Sequence, residues 1–336
     1  MKAALLTEGG RLTVEEIAAP TADGWALVDT KAAGVCGTEL HFLDGMIPPP
    51  YSPFVLGHEI AGVVLESPPG SAAGPGDRVA VYNFVGCSAC HWCRTGRMSI
   101  CRNPVGQLGF SLDGGFRDVV RVPAANLVPL PDGVSFETAA VLACAGMSAV
   151  HATRLARVGL GSTAIVNGIG GVGLSVVQVA RAAGARVIAV ADGESKAELA
   201  RELGAWKAIV VEDYGELPDR TRELTGGAGA DFFFELVGTG ETMRAGISSL
   251  GPDGCLALIG YTGDDLAIHP IELILSEIRV VSSVAADRED LETAIRLSAD
   301  GLLRAHIDTR YPIEEIGTAV DRLRARQVQG RNVLVW

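Results

Sequence analysis

The 336-residue chain is poor in aromatic residues, 5%, and in charge, 20%, and cations are the rarer sign, with 28 Lys and Arg against 40 Asp and Glu. A net charge of −12 argues against a nucleic-acid partner, because phosphate binding depends on clustered Lys and Arg that this chain does not show. No run of about 18 uncharged apolar residues occurs, so no segment reads as membrane-spanning. After Lys2 only Ala3, Ala4, Leu5 and Leu6 precede Thr7 and Glu8, which is too short for the core of a secretory signal. The chain reads as cytoplasmic, and a small molecule is the expected partner. It also lacks internal repeats and low-complexity tracts.

What is present is apolar material, 48% of residues, with 42 Gly. A single core stops growing near ~250–300 residues, so two domains are expected. Proline is unevenly spread, with 12 of 16 at or before Pro131. The first part alternates short β-branched runs with turns, as in EIAGVVLESPPG and GDRVAVYNFVG, and reads as a β domain. From Ser162 the rhythm changes. Strand-like TAIVN, RVIAV, KAIVV, DFFFELVG and CLALIG are separated by helical SVVQVARAAG and ESKAELARELG, which close at Gly184 and Gly204. This alternation predicts a parallel, doubly wound α/β sheet. Two further helices and an ending strand, NVLVW, leave open whether the tail extends that sheet or returns to the first domain.

Seven cysteines in such a chain point to metal ligands or buried thiols rather than disulfides. Cys87, Cys90, Cys93 and Cys101 are separated by two, two and seven intervening residues, which suits a closed tetrahedral zinc site. An iron–sulfur cluster or unliganded thiols are the alternatives, though ferredoxin spacings differ. His91 inside this loop reads as a surface residue. Cys36, Thr38, Glu39 and His41 in CGTELH, His58 and Glu59 in GHE, and Cys144 form a second, dispersed set. Each alone is weak, yet Cys₂His is one of the ligand sets that leave a catalytic zinc with an open position. Gly168, Gly170, Gly171, Val172 and Gly173 follow a strand and open a helix, the setting in which a dinucleotide pyrophosphate sits on a helix N-terminus.

CGTELH, GHEIAGVV, GDRVAV, the four-cysteine lobe, DGGFRDVVRVPAANLVPLPDGVSFETAAVL and GIGGVG, in this order, resemble the zinc-dependent medium-chain alcohol dehydrogenase family over nearly the whole chain. The resemblance implies a GroES-like β catalytic domain of residues 1–150 and 286–336 carrying both zinc sites. A Rossmann dinucleotide-binding domain, 151–285, is inserted in it, and the active site lies in the cleft. It implies two zinc ions per chain: a catalytic one on Cys36, His58 and Cys144, and a structural one on Cys87, Cys90, Cys93 and Cys101. It also implies that Glu39 orients the zinc-ligating histidine, that Glu59 sits behind the metal, that Thr38 and His41 relay the proton, and that Arg331 faces the cofactor pyrophosphate. The expected activity is reversible hydride transfer between an alcohol and NAD(P), by a homo-oligomer, tetramer or dimer. Alternatives are a zinc-free NADPH quinone or enoyl-type reductase of the same superfamily, and an inactive nucleotide-binding homologue. Tyr82, Asn83 and the loop DGMIPPPYSPF are candidates for the substrate wall. After RVIAV the family's acidic ribose residue is replaced by Ala191, and the acid, Asp192, comes one place later, with Lys196 the only nearby cation. NAD(H) is favoured, because two carboxylates near a 2′-phosphate outweigh one Lys.

Overall fold

The computed structural model describes all 336 residues. The chain folds as two compact units. One comprises Met1–Met147, Asp287–Asp300 and Ala305–Trp336; the other comprises Ser148–Ala286 and Gly301–Arg304. The division falls at Met147 instead of residue 150, inside the helical stretch Phe136–Ala156, where no turn signal marks a break. The assignment of 286–336 to a single domain also needs correcting. Gln178 claims Gly301–Arg304 for the second unit: its side-chain amide donates to the Arg304 carbonyl at 3.0 Å, and its side-chain oxygen accepts from the Arg304 N–H at 2.8 Å. Phe136–Ala156 is apolar enough in composition to cross a bilayer, but 83% of its most apolar window is buried, which makes it a core helix.

The first unit is built on a mostly antiparallel sheet whose centre is Ala26–Val35 and whose edge strand Ile307–Tyr311 runs parallel to Arg331–Val335. This strand alternates buried and half-buried residues until Lys31 and is wholly buried from Ala32 onward, as expected of a strand whose far end is covered on both faces. Glu59–Glu66 pairs along one side of it with Gly34 opposite Glu59. Arg331–Val335 pairs along the other with Asn332 opposite Val35. The terminal strand therefore returns to the first unit. Two apolar clusters fill this unit, one around Phe42, Phe54 and Phe116, the other around Val28, Ile60 and Val79.

The second unit is a six-stranded, all-parallel sheet in the order Lys207–Val210, Arg186–Ala191, Thr163–Asn167, Ala230–Glu235, Leu250–Leu258, Arg279–Ser282. Thr163–Asn167 is buried at every position, which explains its unbroken apolar reading. The connecting helices Gly171–Ala182 and Glu194–Glu202 end just short of Gly184 and Gly204. The chain reverses its direction of travel across the sheet between Thr163–Asn167 and Ala230–Glu235, which creates a switch point at their carboxyl ends.

Candidate active site and metal centres

Strand register brings the dispersed set together. Cys36 directly follows the central strand, Glu59 opens its neighbour on one side and Arg331 opens its neighbour on the other, so all three meet at one end of the sheet. Gly34 makes this possible, since a Cβ there would occupy the place of the Glu59 carboxylate. Cys144 arrives on Leu142–Gly146, a wider π-turn inside a longer helix, a local irregularity that often marks a functional site. The potential ligand atoms of Cys36, His58, Glu59 and Cys144 lie within 4.8 Å of one another.

Glu39 organises this cluster. It stands in the first turn of the helix Gly37–Leu43, where one carboxylate oxygen accepts the Cys36 N–H at 2.7 Å and the other faces His58 Nδ1 at 3.1 Å. With Nδ1 engaged, His58 presents Nε2 to a metal. Burial would lower the His58 basicity, but the Glu39 carboxylate and the Cys36 thiol together hold the value well above the usual one. A hydrogen bond between the two free thiols holds Cys36 well below the ordinary thiol value and, with burial, pushes Cys144 well above it. Two further residues also fix His58: Asn83, a substrate-wall candidate from the sequence, donates to its carbonyl at 3.3 Å, and the Phe110 ring, which sequence reasoning left unassigned, lies 5.2 Å from the imidazole. Tyr82, expected with Asn83 near substrate, is fully buried.

Arg331, expected at a cofactor pyrophosphate, places Nη2 3.0 Å from Glu59 Oε1, and both side chains are almost completely enclosed. Burial pushes the Glu59 carboxyl up to about 8, with Arg331 opposing it. Thr38 reaches the metal cluster, its hydroxyl 3.7 Å from Cys36 Sγ, and His41 follows one helical turn later, half-buried. Two thiols, an imidazole and a carboxylate, buried together and backed by a second carboxylate, are the donor chemistry of a divalent metal with thiolate ligands.

In the lobe, Cys90 and Cys101 sulfurs stand 3.8 Å apart, Cys87 and Cys93 sulfurs 4.0 Å. These separations are far too long for a disulfide, whereas a tetrahedron with ~2.3 Å zinc–sulfur arms has edges of ~3.8 Å. Backbone N–H groups of Cys87, Cys90 and Cys93 point at Cys101, Cys87 and Cys90 sulfurs at 3.5, 3.3 and 3.5 Å, as they do toward thiolates. The N–H of Cys93 is the main reason the Cys90 thiol falls to about 6, while burial lifts Cys93 to about 12.

In the second unit, Gly168 takes a φ of +99°, and Gly173 has no room for a Cβ because the Gly168 carbonyl fills the space. Nothing lies within 4 Å of where a Cβ at Gly170 would stand, so the turn presents open backbone ahead of the helix Gly171–Ala182. Gly171 and Val172 are the first helical residues. Ala191 ends its strand, buried, and the Asp192 carboxylate receives Lys196 Nζ at 2.9 Å.

A GroES-like β unit with two cysteine-rich clusters able to hold a metal, and a parallel sheet with a glycine turn at its switch point, define a zinc-type, nicotinamide-linked dehydrogenase. Residues 22–132 match the alcohol dehydrogenase GroES-like domain, and residues 171–300 match the zinc-binding dehydrogenase family. An alcohol dehydrogenase of Geobacillus stearothermophilus is 32% identical over 339 residues, 99% of each chain. Among solved structures, the alcohol dehydrogenase of Aeropyrum pernix superposes with a TM-score of 0.92 at 32% identity, covering 100% of both chains. AibC does so with a TM-score of 0.93 at 34% identity, covering 100% of this chain and 95% of its own. The chain belongs to the zinc-dependent medium-chain alcohol dehydrogenase family, and it is an oxidoreductase linked to NAD(P).

Proposed function

We propose that the protein interconverts an alcohol and its aldehyde or ketone with NAD(H), using two zinc ions per chain. The observation that carries this is the convergence of Cys36, His58 and Cys144, with Glu39 fixing the imidazole. Cys36, His58 and Cys144 would hold a zinc ion, which would supply Lewis-acid polarisation of the substrate oxygen, and a dinucleotide on the glycine turn would supply the hydride acceptor. The chain's own part is proton handling and orientation. Glu39 keeps Nδ1 of His58 engaged so that Nε2 faces the metal position. Glu59 and Arg331 hold the opposite side of the cluster. Thr38, whose hydroxyl borders Cys36, accepts the substrate proton, and His41 carries it onward. The reading is tested by assaying primary, secondary, aromatic and polyol substrates with both cofactors, alongside metal analysis. Two zinc equivalents and turnover of at least one alcohol class are expected; inactivity toward all of them in fully zinc-loaded protein counts against it.

The relay gives a narrower expectation. Thr38→Ala and His41→Ala are expected to lower kcat for alcohol oxidation by ~10²- to 10⁴-fold, the usual contribution of general acid–base steps, while both zinc ions remain. The His41→Ala defect should shrink at high pH, where hydroxide takes over the proton. Unchanged kcat in both variants removes the relay.

For the cofactor, ion pairing near the strand end supports NAD(H). Lys196 is matched by Asp192 at 2.9 Å and Arg201 by Glu194 at 2.7 Å, so both cations already face a carboxylate. Asp192, half exposed, engages Lys196 through Oδ2 only, and Oδ1 can accept from ribose hydroxyls. NAD⁺ is expected to exceed NADP⁺ in kcat/KM by roughly tenfold, ~1.4 kcal/mol of discrimination, and Asp192→Asn to narrow that ratio. A preference for NADP⁺ overturns the assignment.

Association with a second copy is proposed at the edge strand Arg279–Ser282. The helix before it, Pro270–Ile274, and its exit leave Ile271, Ile274 and Leu275 at 51, 69 and 78% exposure, with Val280 and Val284 also exposed. Sedimentation should show an oligomer that Ile274→Glu with Leu275→Glu dissociates. A parent protein that sediments as a monomer refutes this interface.

A further inference from the structure

We infer that Tyr214, Asn167 and Glu235 form a positioning chain that holds the two walls of the switch-point crevice in register and thereby sets dinucleotide affinity. The inference rests on the dinucleotide reading above. In open parallel sheets, ligands bind outside the carboxyl ends of the strands where the strand order reverses. Here those strands are Thr163–Asn167 and Ala230–Glu235, and their last residues, Asn167 and Glu235, stand opposite each other in the pairing register. Both are completely buried. Strands covered on both faces call for apolar side chains, and a buried amide or carboxylate is tolerated only with its hydrogen bonds made. These two polar residues at the switch point are therefore a departure that needs a reason.

The bonds are all present. Asn167 Nδ2 donates to Glu235 Oε2 at 3.0 Å, and Asn167 Oδ1 accepts from the Tyr214 hydroxyl at 3.0 Å. Glu235 Oε1 accepts the N–H groups of Val237 and Gly238 at 2.7 and 2.8 Å. The direction of the chain is consistent throughout, because a carboxylate that only accepts obliges Asn167 to turn its NH₂ toward it and its carbonyl toward the phenol.

Each member governs a wall of the crevice. Asn167 is bonded to Gly168, which begins the glycine turn. Glu235 fixes the backbone of Val237 and Gly238 on the other side. The walls touch: a Cβ at Gly168 would lie 3.1 Å from Val237 Cγ2 and 3.3 Å from Leu236 Cβ. Tyr214 brings in the connection after Lys207–Val210. Burial raises its phenol above the ordinary value and the charge of Glu235 adds to this, while the bond to Asn167 opposes it. A turn already held in its bound shape loses less freedom when the pyrophosphate arrives, and this is the source of the affinity.

The test is NADH binding by calorimetry on the intact protein at 25 °C, with thermal melting of the cofactor-free protein alongside. Asn167→Leu and Glu235→Gln should each weaken binding about tenfold, and Tyr214→Phe, which removes one half-buried hydroxyl and leaves the fold, about threefold. The decisive variant is the exchange of Asn167→Asp with Glu235→Gln. There the Gln amide donates to the Asp carboxylate, the Asp still accepts from Tyr214, and the Gln oxygen still accepts from Val237 and Gly238. It should bind NADH within about threefold of the parent. The inference is overturned if the single variants melt lower yet bind NADH like the parent, or if the exchange binds no better than they do. A parent protein that binds neither NADH nor NADPH removes the dinucleotide reading and this inference with it.

Discussion

Cys144→Ala is expected to lower alcohol turnover by a factor on the order of 10³ or more, because Lewis-acid stabilisation is worth several kcal/mol and each 1.36 kcal/mol is about a decade in rate. The protein should still fold. Cys144 sits on the π-turn Leu142–Gly146, whose remaining residues are small or buried in the helix, and alanine keeps the helix intact while removing one of three protein ligands. Cys93→Ser is expected to behave in the opposite way. A closed four-sulfur site contributes folding energy directly, so losing a ligand should cost several kcal/mol. At ~2–4 °C per kcal/mol for domains of ~150–250 residues, the melting temperature falls by roughly 5–15 °C. Below that temperature the Cys93→Ser protein should turn over alcohol at a near-parental kcat with about one zinc per chain. The contrast separates the sites: near-normal activity and two zinc ions in Cys144→Ala would remove Cys144 from the ligand set.

The contrast also shows what a linear sequence displays and what it hides. The clustering of the four lobe cysteines was legible because they lie within one short segment, so their spacing states the geometry. The glycine turn was legible for a similar reason, since strand, turn and helix are contiguous. The catalytic set was legible only through resemblance, because Cys36, His58 and Cys144 are joined by strand register and by a π-turn that no residue pattern announces. The Glu59–Arg331 pair was missed as a pair. Arg331 stands at the far end of the chain and reaches Glu59 only because Arg331–Val335 and Glu59–Glu66 flank the same central strand. Asn167 was read as the last letter of a strand, and its role depends on Glu235, which pairs with it across the switch point. Gly301–Arg304 lies with the second unit, where the segment buries Leu303 and bonds to both ends of the Gln178 amide through Arg304. In each missed case the deciding contact is long-range and polar, whereas hydrophobic periodicity reports only local faces.

Above about pH 8, where the Glu59 carboxyl is ionised, Arg331→Leu is expected to destabilise the protein by ~3–5 kcal/mol, the usual cost of leaving one partner of a buried ion pair alone, and by less at lower pH, where Glu59 takes up a proton instead. The pair is enclosed on both sides, with Nη2 3.0 Å from Glu59 Oε1 and neither side chain more than 6% exposed. Burial opposes the guanidinium charge, but Cys36 and then Glu59 outweigh it and raise Arg331 above its ordinary value, so the cation is held by the whole cluster. Removing it leaves the Glu59 carboxylate facing Cys36 and Glu39 with its main neutralising neighbour gone. Glu59→Gln in the same chain should therefore recover a large part of the loss, since an uncharged amide of nearly the same shape no longer needs a cation. A double-mutant cycle on thermal or denaturant unfolding measures this coupling. If the two substitutions prove additive, or if Arg331→Leu unfolds at the parental midpoint, the guanidinium is not what stabilises Glu59. Zinc content should be followed in the same variants, because Glu59 Oε1 lies 3.9 Å from His58 Nε2, and an unpaired carboxylate at that distance competes with the thiols for the metal position.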